Sequence, residues 1–114
     1  VNHILIPQGA GANDPNSAAF NDACKRAEAF GCQVSNMPSV GRFMQEGEAV
    51  PASYMNFYIG NHNVVVPIYG AENDDAAITT LVALFPDRQV VGVMADAVLT
   101  GGGSFHCSSQ QIPV

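Results

Sequence analysis

The sequence predicts an α/β (α+β) fold in which a strand–strand–helix–strand module occurs twice. The segment Ile4–Pro7 (Ile-Leu-Ile-Pro) is matched sixty residues later by Val64–Pro67 (Val-Val-Val-Pro). Each segment is followed by a Gly-bearing loop, an Asn/Asp helix start, an amphipathic helix and another strand. We therefore expect a single domain over residues 1–114, with modules at about 1–50 and 51–114. The first module lacks its opening strand, so we expect the chain to be the C-terminal part of a larger domain.

The first module is predicted to contain a strand, a helix and a second strand. Asp14 is expected to cap the helix, with Pro15 at its first position, because proline has no N–H to lose there. Gly31 is expected to end the helix as a left-handed cap. The expected core face of the helix consists of Phe20, Ala23, Cys24 and Ala27. The expected strands are His3–Pro7 and Cys32–Met37, and the Gly-, Pro- and Glu-rich segment Ser39–Ala52 is expected to be a loop.

The second module begins with a predicted hairpin. Its strands, Tyr54–Ile59 and Val64–Tyr69, are dense in β-forming residues and flank the turn Gly60–Asn63. Asn73 is expected to cap the next helix, and Pro86 is expected to end it. The expected buried stripe consists of Ala77, Ile78, Leu81 and Phe85, and the expected buried strand that follows is Val90–Ala95.

The composition argues against two classes of partner. The sequence contains ten Asp and Glu against four Lys and Arg, whereas nucleic acid requires clustered basic residues to neutralise its phosphates. No apolar run reaches membrane-spanning length. We therefore expect neither nucleic acid nor a membrane as partner, and a cationic ligand suits the net charge of −6 better. Only 12% of the residues are charged, which favours a surface covered by further protein or by a second copy in a homo-oligomer. A sparsely charged monomer is the open alternative.

The three cysteines favour a reducing cytoplasmic location. Their odd number and the absence of a Cys-x-x-Cys pair argue against a disulfide framework and against a structural zinc site. Cys24 and Cys32 are expected to be buried small hydrophobic residues. Cys107 differs, because three glycines precede it and the hydroxyls of Ser104, Ser108 and Ser109 surround it.

Gly101, Gly102 and Gly103 form a run in which the backbone carries no Cβ. Such a run permits unusual backbone angles and lets a ligand approach the backbone closely, so Gly102 and Gly103 are candidate substrate-binding residues. Cys107 is then a candidate nucleophile, a role that requires the thiolate and hence a nearby positive charge or base. On this spacing alone, a glycine loop beside a buried cysteine is the better interpretation.

The segment Gly101–Pro113 reads Gly-Gly-Gly-Ser-Phe-His-Cys-Ser-Ser-Gln-Gln-Ile-Pro. It resembles the C-terminal active-site motif of the agmatine deiminase and bacterial-type peptidyl-arginine deiminase family, usually Gly-Gly-Gly-Asn-Ile-His-Cys-Ile-Thr-Gln-Gln. Pro51–Ile59 is similar to the preceding hairpin of that family. Leu84–Arg88 and Val90–Val93 are similar to its helix end and next strand. The motif departs from the usual form at Ser104, Phe105, Ser108 and Ser109.

The resemblance implies a five-module α/β propeller of guanidine-modifying enzymes, of which these residues form about two ββαβ modules around a central channel. It implies that Cys107 attacks the guanidinium carbon of agmatine, or of an arginine-like substrate, to form a covalent amidino intermediate. Water then completes the conversion, which for agmatine yields N-carbamoylputrescine, and no metal or organic cofactor is implied. Asn56 is a candidate to line the channel, and an asparagine that satisfies turn backbone is the open alternative.

The catalytic partners of Cys107 cannot be placed within these residues. No His-x-Asp element begins at His3, His62 or His106. In an extended strand the side chains of His106 and Cys107 would point to opposite faces, so we expect His106 to be a hydrogen-bonded packing residue. His62 is expected to be solvated in its turn, and Asp96 is expected to have a loop-turn role. We therefore expect the 114 residues alone to be inactive.

Two other functions stay open at this point. One is a free-standing, non-catalytic two-module binding or assembly protein, whose open sheet edges are covered by homo-oligomerisation. Continuous coding upstream of Val1 with a His-x-Asp element would support the enzyme, and an independent start codon would support the binding protein. The other is a papain-like hydrolase, which is disfavoured because its nucleophile normally opens a helix.

The reactivity of Cys107 provides a test on the protein itself. Iodoacetamide is expected to alkylate Cys107 no faster than a free thiol near neutral pH, because the activating positive charge or base is expected to lie outside these residues. Residue-resolved mass spectrometry of the alkylated protein measures the rate. Accelerated labelling would show that an activating group lies within the 114 residues.

Overall fold

The computed structural model describes residues 2–113, which form seven short strands and three helices around one main core. No helix within these residues is both long and apolar enough to cross a membrane. In sequence order the elements are β1 (His3–Gln8), α1 (Ser17–Ala29), β2 (Gln33–Pro38), β3 (Phe43–Gln45), β4 (Glu48–Val50), a 3₁₀ turn (Tyr54–Asn56), β5 (Tyr58–Ile59), β6 (Asn63–Ile68), α2 (Asp74–Leu84), β7 (Gln89–Met94) and α3 (Asp96–Leu99).

A strand, a helix and a second, parallel strand occur twice in this order. β1 pairs in parallel with β2, with Pro7 opposite Met37, and β6 pairs in parallel with β7, with Pro67 opposite Val93. In the second copy β5 adds an antiparallel strand on the other side of β6, which gives the order β5-β6-β7. The predicted strand–helix–strand repeat is therefore present in the fold. The division into modules and the closed five-module propeller stay predictions.

The two copies also share the hydrogen bonds that close one end of each parallel strand pair. The N–H of Gln33 donates to the C=O of Asn2 at 2.6 Å, and the N–H of Gln89 donates to the C=O of His62 at 3.0 Å. Asn2 and His62 precede the matched strand segments by the same number of residues. The repeat therefore extends from the apolar pattern to the backbone hydrogen bonding.

In the first copy, Asp14 orders the loop between β1 and α1. Its buried carboxylate accepts the N–H groups of Ala10 at 3.0 Å and Asn16 at 2.9 Å. Burial by itself raises the pKa of Asp14, but these hydrogen bonds outweigh it and lower the pKa below its ordinary value. The prediction that Asp14 caps the helix ahead of Pro15 is wrong, because this carboxylate binds loop N–H groups and α1 begins at Ser17.

In the second copy, Asp74 has the equivalent position. Its carboxylate accepts the N–H groups of Tyr69 at 3.2 Å and Ala71 at 3.1 Å, and the Tyr54 hydroxyl donates to it at 2.7 Å. Burial raises the pKa of Tyr54, and the hydrogen bond to Asp74 raises it further. Asn73 lies at the predicted cap position of α2, but its side chain donates to the C=O of Ser39 at 2.9 Å and does not cap the helix.

The core lies mainly in the second copy, and α1 contributes no fully buried residue to it. The predicted core face of α1 is wrong in part: Ala23 is exposed, and Phe20, Cys24 and Ala27 are half-buried. Within residues 2–113, the sheet beneath this helix has just two strands, β1 and β2, and it covers less of the stripe than a wider sheet would. Cys32 is also half-buried rather than buried. The buried core consists of Met37, Tyr54, Val64, Val66, Tyr69, Ala77, Leu81, Ala95 and Leu99.

The segment Ser39–Ala52, predicted to be a loop, contains the hairpin of β3 and β4, with Phe43 opposite Val50. The turn residues Glu46 and Gly47 have φ angles of 52° and 85°, which is the conformation of a two-residue hairpin turn. Glutamate seldom adopts a positive φ angle, so the sequence pattern predicts no hairpin here.

Two predicted strands also differ from the structure. In Tyr54–Ile59 only the last two residues pair with β6, because Ser53 satisfies the local N–H groups of a 3₁₀ turn and competes with strand pairing. The strand predicted at Val90–Ala95 spans Gln89–Met94 and lies at the edge of its sheet. It is not buried throughout, since Val91, Val93 and Met94 are exposed.

Tyr54→Phe removes the hydroxyl that donates to Asp74, and we expect it to lower the free energy of unfolding by about 1–3 kcal/mol near neutral pH. Because the pKa of Tyr54 is raised in the folded state, the unfolded protein loses this phenolic proton first. The stability of the parent protein should therefore fall as the pH rises above about 10, and the variant should lose less. Urea unfolding between about pH 7 and pH 11 measures both effects.

Tyr58→Phe is the matched control, because Tyr58 lies close to Tyr54 in the sequence, in β5, and is only half-buried. We expect it to change the free energy of unfolding near neutral pH by less than about 0.5 kcal/mol. Equal losses in the two variants would contradict the role assigned to the Tyr54–Asp74 hydrogen bond.

Candidate active site

The glycine run begins where α3 ends. The N–H of Gly101 donates to the C=O of Val98 at 3.1 Å, and the N–H of Gly102 donates to the C=O of Leu99 at 2.9 Å. Gly102 has a φ angle of 84°, the left-handed conformation that glycine often adopts just beyond a helix. These two glycines therefore end the helix and redirect the backbone. A Cβ on Gly102 would meet no other atom within 4 Å, so this position faces open space.

Gly103 has a different role, because the backbone folds back against it. A Cβ on Gly103 would lie 2.8 Å from the Cβ of Cys107, closer than two such atoms approach in proteins. The N–H of Ser108 donates to the C=O of Ser104 at 3.0 Å. We call residues 104–109 the nucleophile turn, after the candidate nucleophile Cys107 that it carries. Cys107 is exposed on it, so the alternative of a glycine loop with a buried cysteine is wrong.

Asn56 holds the nucleophile turn at two points. Its Oδ1 atom accepts the N–H of Cys107 at 3.1 Å, and its backbone carbonyl oxygen accepts the N–H of His106 at 3.1 Å. The fold thus brings together Asn56, Gly103 and Cys107, three of the four residues predicted for the site, while Gly102 serves the helix end. The N–H of Cys107 already has an acceptor, so it is not free to bind a substrate oxygen or nitrogen.

His106 lies in the turn beside Cys107, not in an extended strand. The alternation of side chains along a strand therefore does not apply to this pair. The imidazole is exposed, so the prediction of a packing residue is wrong. His62 is exposed in its turn, in agreement with the prediction. Asp96 begins α3 instead of lying in a loop, and its C=O accepts Nε2 of Gln45 at 3.2 Å.

Three residues at the buried end of the nucleophile turn are absent from the predicted site: Ser104, which begins the turn, and Tyr69 and Ser53 behind it. Ser104 is 1% exposed, and its hydroxyl has no hydrogen-bond partner within residues 2–113. It lies near the Tyr69 hydroxyl without forming a well-aligned hydrogen bond. That hydroxyl accepts the N–H of Ser53 at 3.3 Å and donates to the C=O of Ser53 at 3.2 Å. Burial raises the pKa of Tyr69.

Two of these residues carried a signal in the sequence. Ser104 stands where the motif departs from its usual asparagine, and Ser53 stands where a serine favours capping over strand formation. Tyr69 carried no such signal, because its apolar neighbours in the sequence indicate only a buried strand.

The sequence on either side of Cys107 supplies little charge. Residues 101–113 contain no Asp, Glu, Lys or Arg. Across residues 2–113 there is no group of three His, Cys, Asp or Glu side chains that could hold a metal ion. A cavity of about 810 Å³ lies at the ends of β1, β2 and β6, and Cys107 does not line it. The motif and its turn therefore identify the candidate site better than cavity size does. The cavity is lined by Ala10, Asn13, Val40, Gly41, Arg42, Glu72 and Asn73.

Alanine at each glycine of the run should have a different effect. Gly101→Ala is expected to cost less than about 0.5 kcal/mol, since its nearest new neighbour would lie 3.4 Å away. Gly102→Ala is expected to cost about 1 kcal/mol, because of its left-handed φ angle. Gly103→Ala must displace Cys107, so it should change the alkylation rate of Cys107 as well as the stability. Thermal unfolding and thiol alkylation measure these effects, and three equal results would contradict the assignments.

Comparisons with known proteins indicate one family. The profile of the Porphyromonas-type peptidyl-arginine deiminase family matches residues 1–113. A relative from Enterococcus faecalis, named "putative agmatine deiminase", is 41% identical over 92 residues, which cover 72% of this chain and 25% of the relative. A relative of the same name from Lactococcus lactis is 49% identical over 69 residues, which cover 60% of this chain and 19% of the relative. The chain thus spans a quarter or less of the length of these relatives.

Solved structures share the fold. Agmatine deiminase of C. jejuni matches with a TM-score of 0.88 at 26% identity, over 96% of this chain and 34% of that protein. Agmatine deiminase of Enterococcus faecalis matches with a TM-score of 0.78 at 30% identity, over 92% of this chain and 35% of that protein. The resemblance seen in the glycine–cysteine motif is confirmed. The profile match along nearly the whole length shows that this protein belongs to the Porphyromonas-type peptidyl-arginine deiminase family.

Proposed function

We propose that these residues supply the nucleophile-bearing part of a deiminase that acts on agmatine or on an arginine-like guanidine. The observation that carries the proposal is the exposed Cys107 on a turn that Gly103 and Asn56 shape, within a member of this family. Agmatine enters the proposal because the matched relatives and structures are named agmatine deiminases. A cationic guanidinium also suits a net charge of −6.

In this proposal the Cys107 thiolate attacks the guanidinium carbon and forms a C–S bond. One C–N bond breaks, and its nitrogen leaves as ammonia after it takes up a proton. Water then attacks the amidino carbon and gives up its protons to the general acid/base, the C–S bond breaks, and the thiolate and a ureido product result. Cysteine suits this step because it is strongly nucleophilic near neutral pH. A matched structure of a Cys-to-Ser variant of C. jejuni agmatine deiminase holds substrate, which fits a chemical role for a cysteine in that enzyme.

The proposal assigns the general acid/base and the carboxylate ligands to residues outside this chain. The 114 residues contain no His-x-Asp element, and a planar guanidinium with several N–H donors is held best by bidentate carboxylates. The match extends over 34% of the C. jejuni structure, a share that supports about two modules of a five-module propeller. We therefore expect no turnover by the 114 residues alone.

A chimera tests the proposal. Residues 1–114 replace the matching part of C. jejuni agmatine deiminase, and release of ammonia and ureido product from agmatine is measured. We expect turnover by the chimera, and a loss of at least about thousandfold in kcat in Cys107→Ser, because the covalent step needs the thiolate. Cys24→Ser and Cys32→Ser are the matched controls and should retain activity within about threefold.

Three outcomes would contradict the proposal. An inactive chimera would show that these residues do not supply the nucleophile-bearing part of such an enzyme. Turnover that survives Cys107→Ser would show that another residue is the nucleophile. Turnover of agmatine or peptidyl-arginine by residues 1–114 alone would show that the general acid/base and the carboxylates lie within these residues.

A further inference from the structure

The contacts of Asn56 differ from those expected of a substrate ligand. We propose that Asn56 is a positioning residue, whose Oδ1 atom fixes the nucleophile turn and thereby the direction in which Cys107 presents its thiol. Oδ1 accepts the N–H of Cys107, and the backbone carbonyl oxygen of Asn56 accepts the N–H of His106, both at 3.1 Å. The Oδ1 atom, which would accept hydrogen bonds from a substrate if Asn56 lined a channel, is therefore already bonded to Cys107.

The nucleophile turn depends on Asn56 because the other contacts that fix the turn involve only its first half. Ser104 is buried and Phe105 packs against the core, so the first half of the turn is fixed by packing. His106 and Cys107 are exposed. Within residues 2–113, both hydrogen bonds that tie the turn to another element go to Asn56. Glycine restricts the backbone less than any other residue type, so the glycines before the turn do not fix its position.

Asn56 itself is held in place by the core. The Oγ of Ser53 accepts the N–H of Met55 at 3.2 Å, and the C=O of Ser53 accepts the N–H of Asn56 at 3.3 Å, which closes the 3₁₀ turn. The hydroxyl of Tyr69 bonds to both the N–H and the C=O of Ser53. A continuous path of hydrogen bonds thus leads from a buried tyrosine to the N–H of Cys107. Such support lets a reactive side chain keep its geometry.

The chemical consequence of this positioning rests on the proposed function. Attack on a guanidinium carbon requires the sulfur and the carbon to approach within about 3–3.5 Å in one direction. A thiol on an unanchored turn would sample many directions, and fewer of them would be productive. Loss of the Asn56 side chain should therefore lower the rate of attack more than it lowers substrate affinity.

Amide hydrogen exchange of residues 1–114, resolved by NMR, tests the anchoring without any substrate. In Asn56→Ala we expect the Cys107 amide to exchange at least about fivefold faster, since one hydrogen bond of typical net strength is lost. The Leu81 amide in the buried part of α2 should change less than about twofold. Asn56→Asp keeps an acceptor oxygen in the same place and should restore the protection. Asn61→Ala changes an exposed asparagine in the turn of the nearby β5–β6 hairpin; it is the matched control and should have no effect on Cys107.

Three results of the exchange experiment would overturn the proposal. The first is an unchanged Cys107 amide in Asn56→Ala, which would show that the hydrogen bond is not maintained. The second is a failure of Asn56→Asp to restore protection, which would show that the acceptor oxygen is not the cause. The third is an equal effect of Asn61→Ala, which would show that the turn responds to any change in the hairpin.

The chimera with C. jejuni agmatine deiminase separates positioning from substrate binding. Asn56→Ala is expected to lower kcat at least about tenfold and to change KM less than about twofold. A raised KM with unchanged kcat would make Asn56 a substrate ligand and overturn the proposal. If the chimera with Asn56 intact is inactive while the exchange results hold, the proposed function fails and the anchoring role of Asn56 is still supported.

Discussion

The second copy and the candidate site depend on the hydrogen bonds that the Asp74 carboxylate accepts. It accepts hydrogen bonds from the Tyr54 hydroxyl and from the N–H groups of Tyr69 and Ala71. It therefore joins the 3₁₀ turn, the end of β6 and the start of α2. A carboxylate withdrawn from water must regain hydrogen bonds from the protein, and here the donors come from the 3₁₀ turn and from the loop between β6 and α2. Asn56 lies at the end of the 3₁₀ turn that this carboxylate helps to fix.

The candidate site combines freedom of the backbone with a small number of fixed points. Gly102 provides the left-handed angle at which the backbone leaves α3, and Gly103 provides the space in which Cys107 folds back. The same freedom would let the thiol move, and the hydrogen bond from Cys107 to Asn56 restricts it. The glycines thus make this turn conformation sterically possible, and Asn56, from a different segment, stabilises it.

Periodicity and turn chemistry predicted the elements whose geometry is local. The matched strands at Ile4–Pro7 and Val64–Pro67 and the buried positions Ala77 and Leu81 of α2 are present as predicted. The hairpin between Ser39 and Ala52 was not predictable, because its turn places a glutamate at a positive φ angle that this residue type seldom adopts. The sequence pattern overestimated how many side chains of α1 are buried, since the extent of burial depends on the width of the sheet beneath a helix.

The sequence by itself determined the family and the nucleophile candidate, because Gly-Gly-Gly-x-x-His-Cys is a contiguous motif whose spacing does not depend on the other segments. Tertiary structure alone decided the contacts of Asn56. Its pairing with Cys107 joins segments 51 residues apart, and such a contact depends on how the 3₁₀ turn, β6 and α2 pack around Tyr54 and Asp74. Local spacing predicts which residues carry the chemistry, and the packing of distant segments decides what holds them in place.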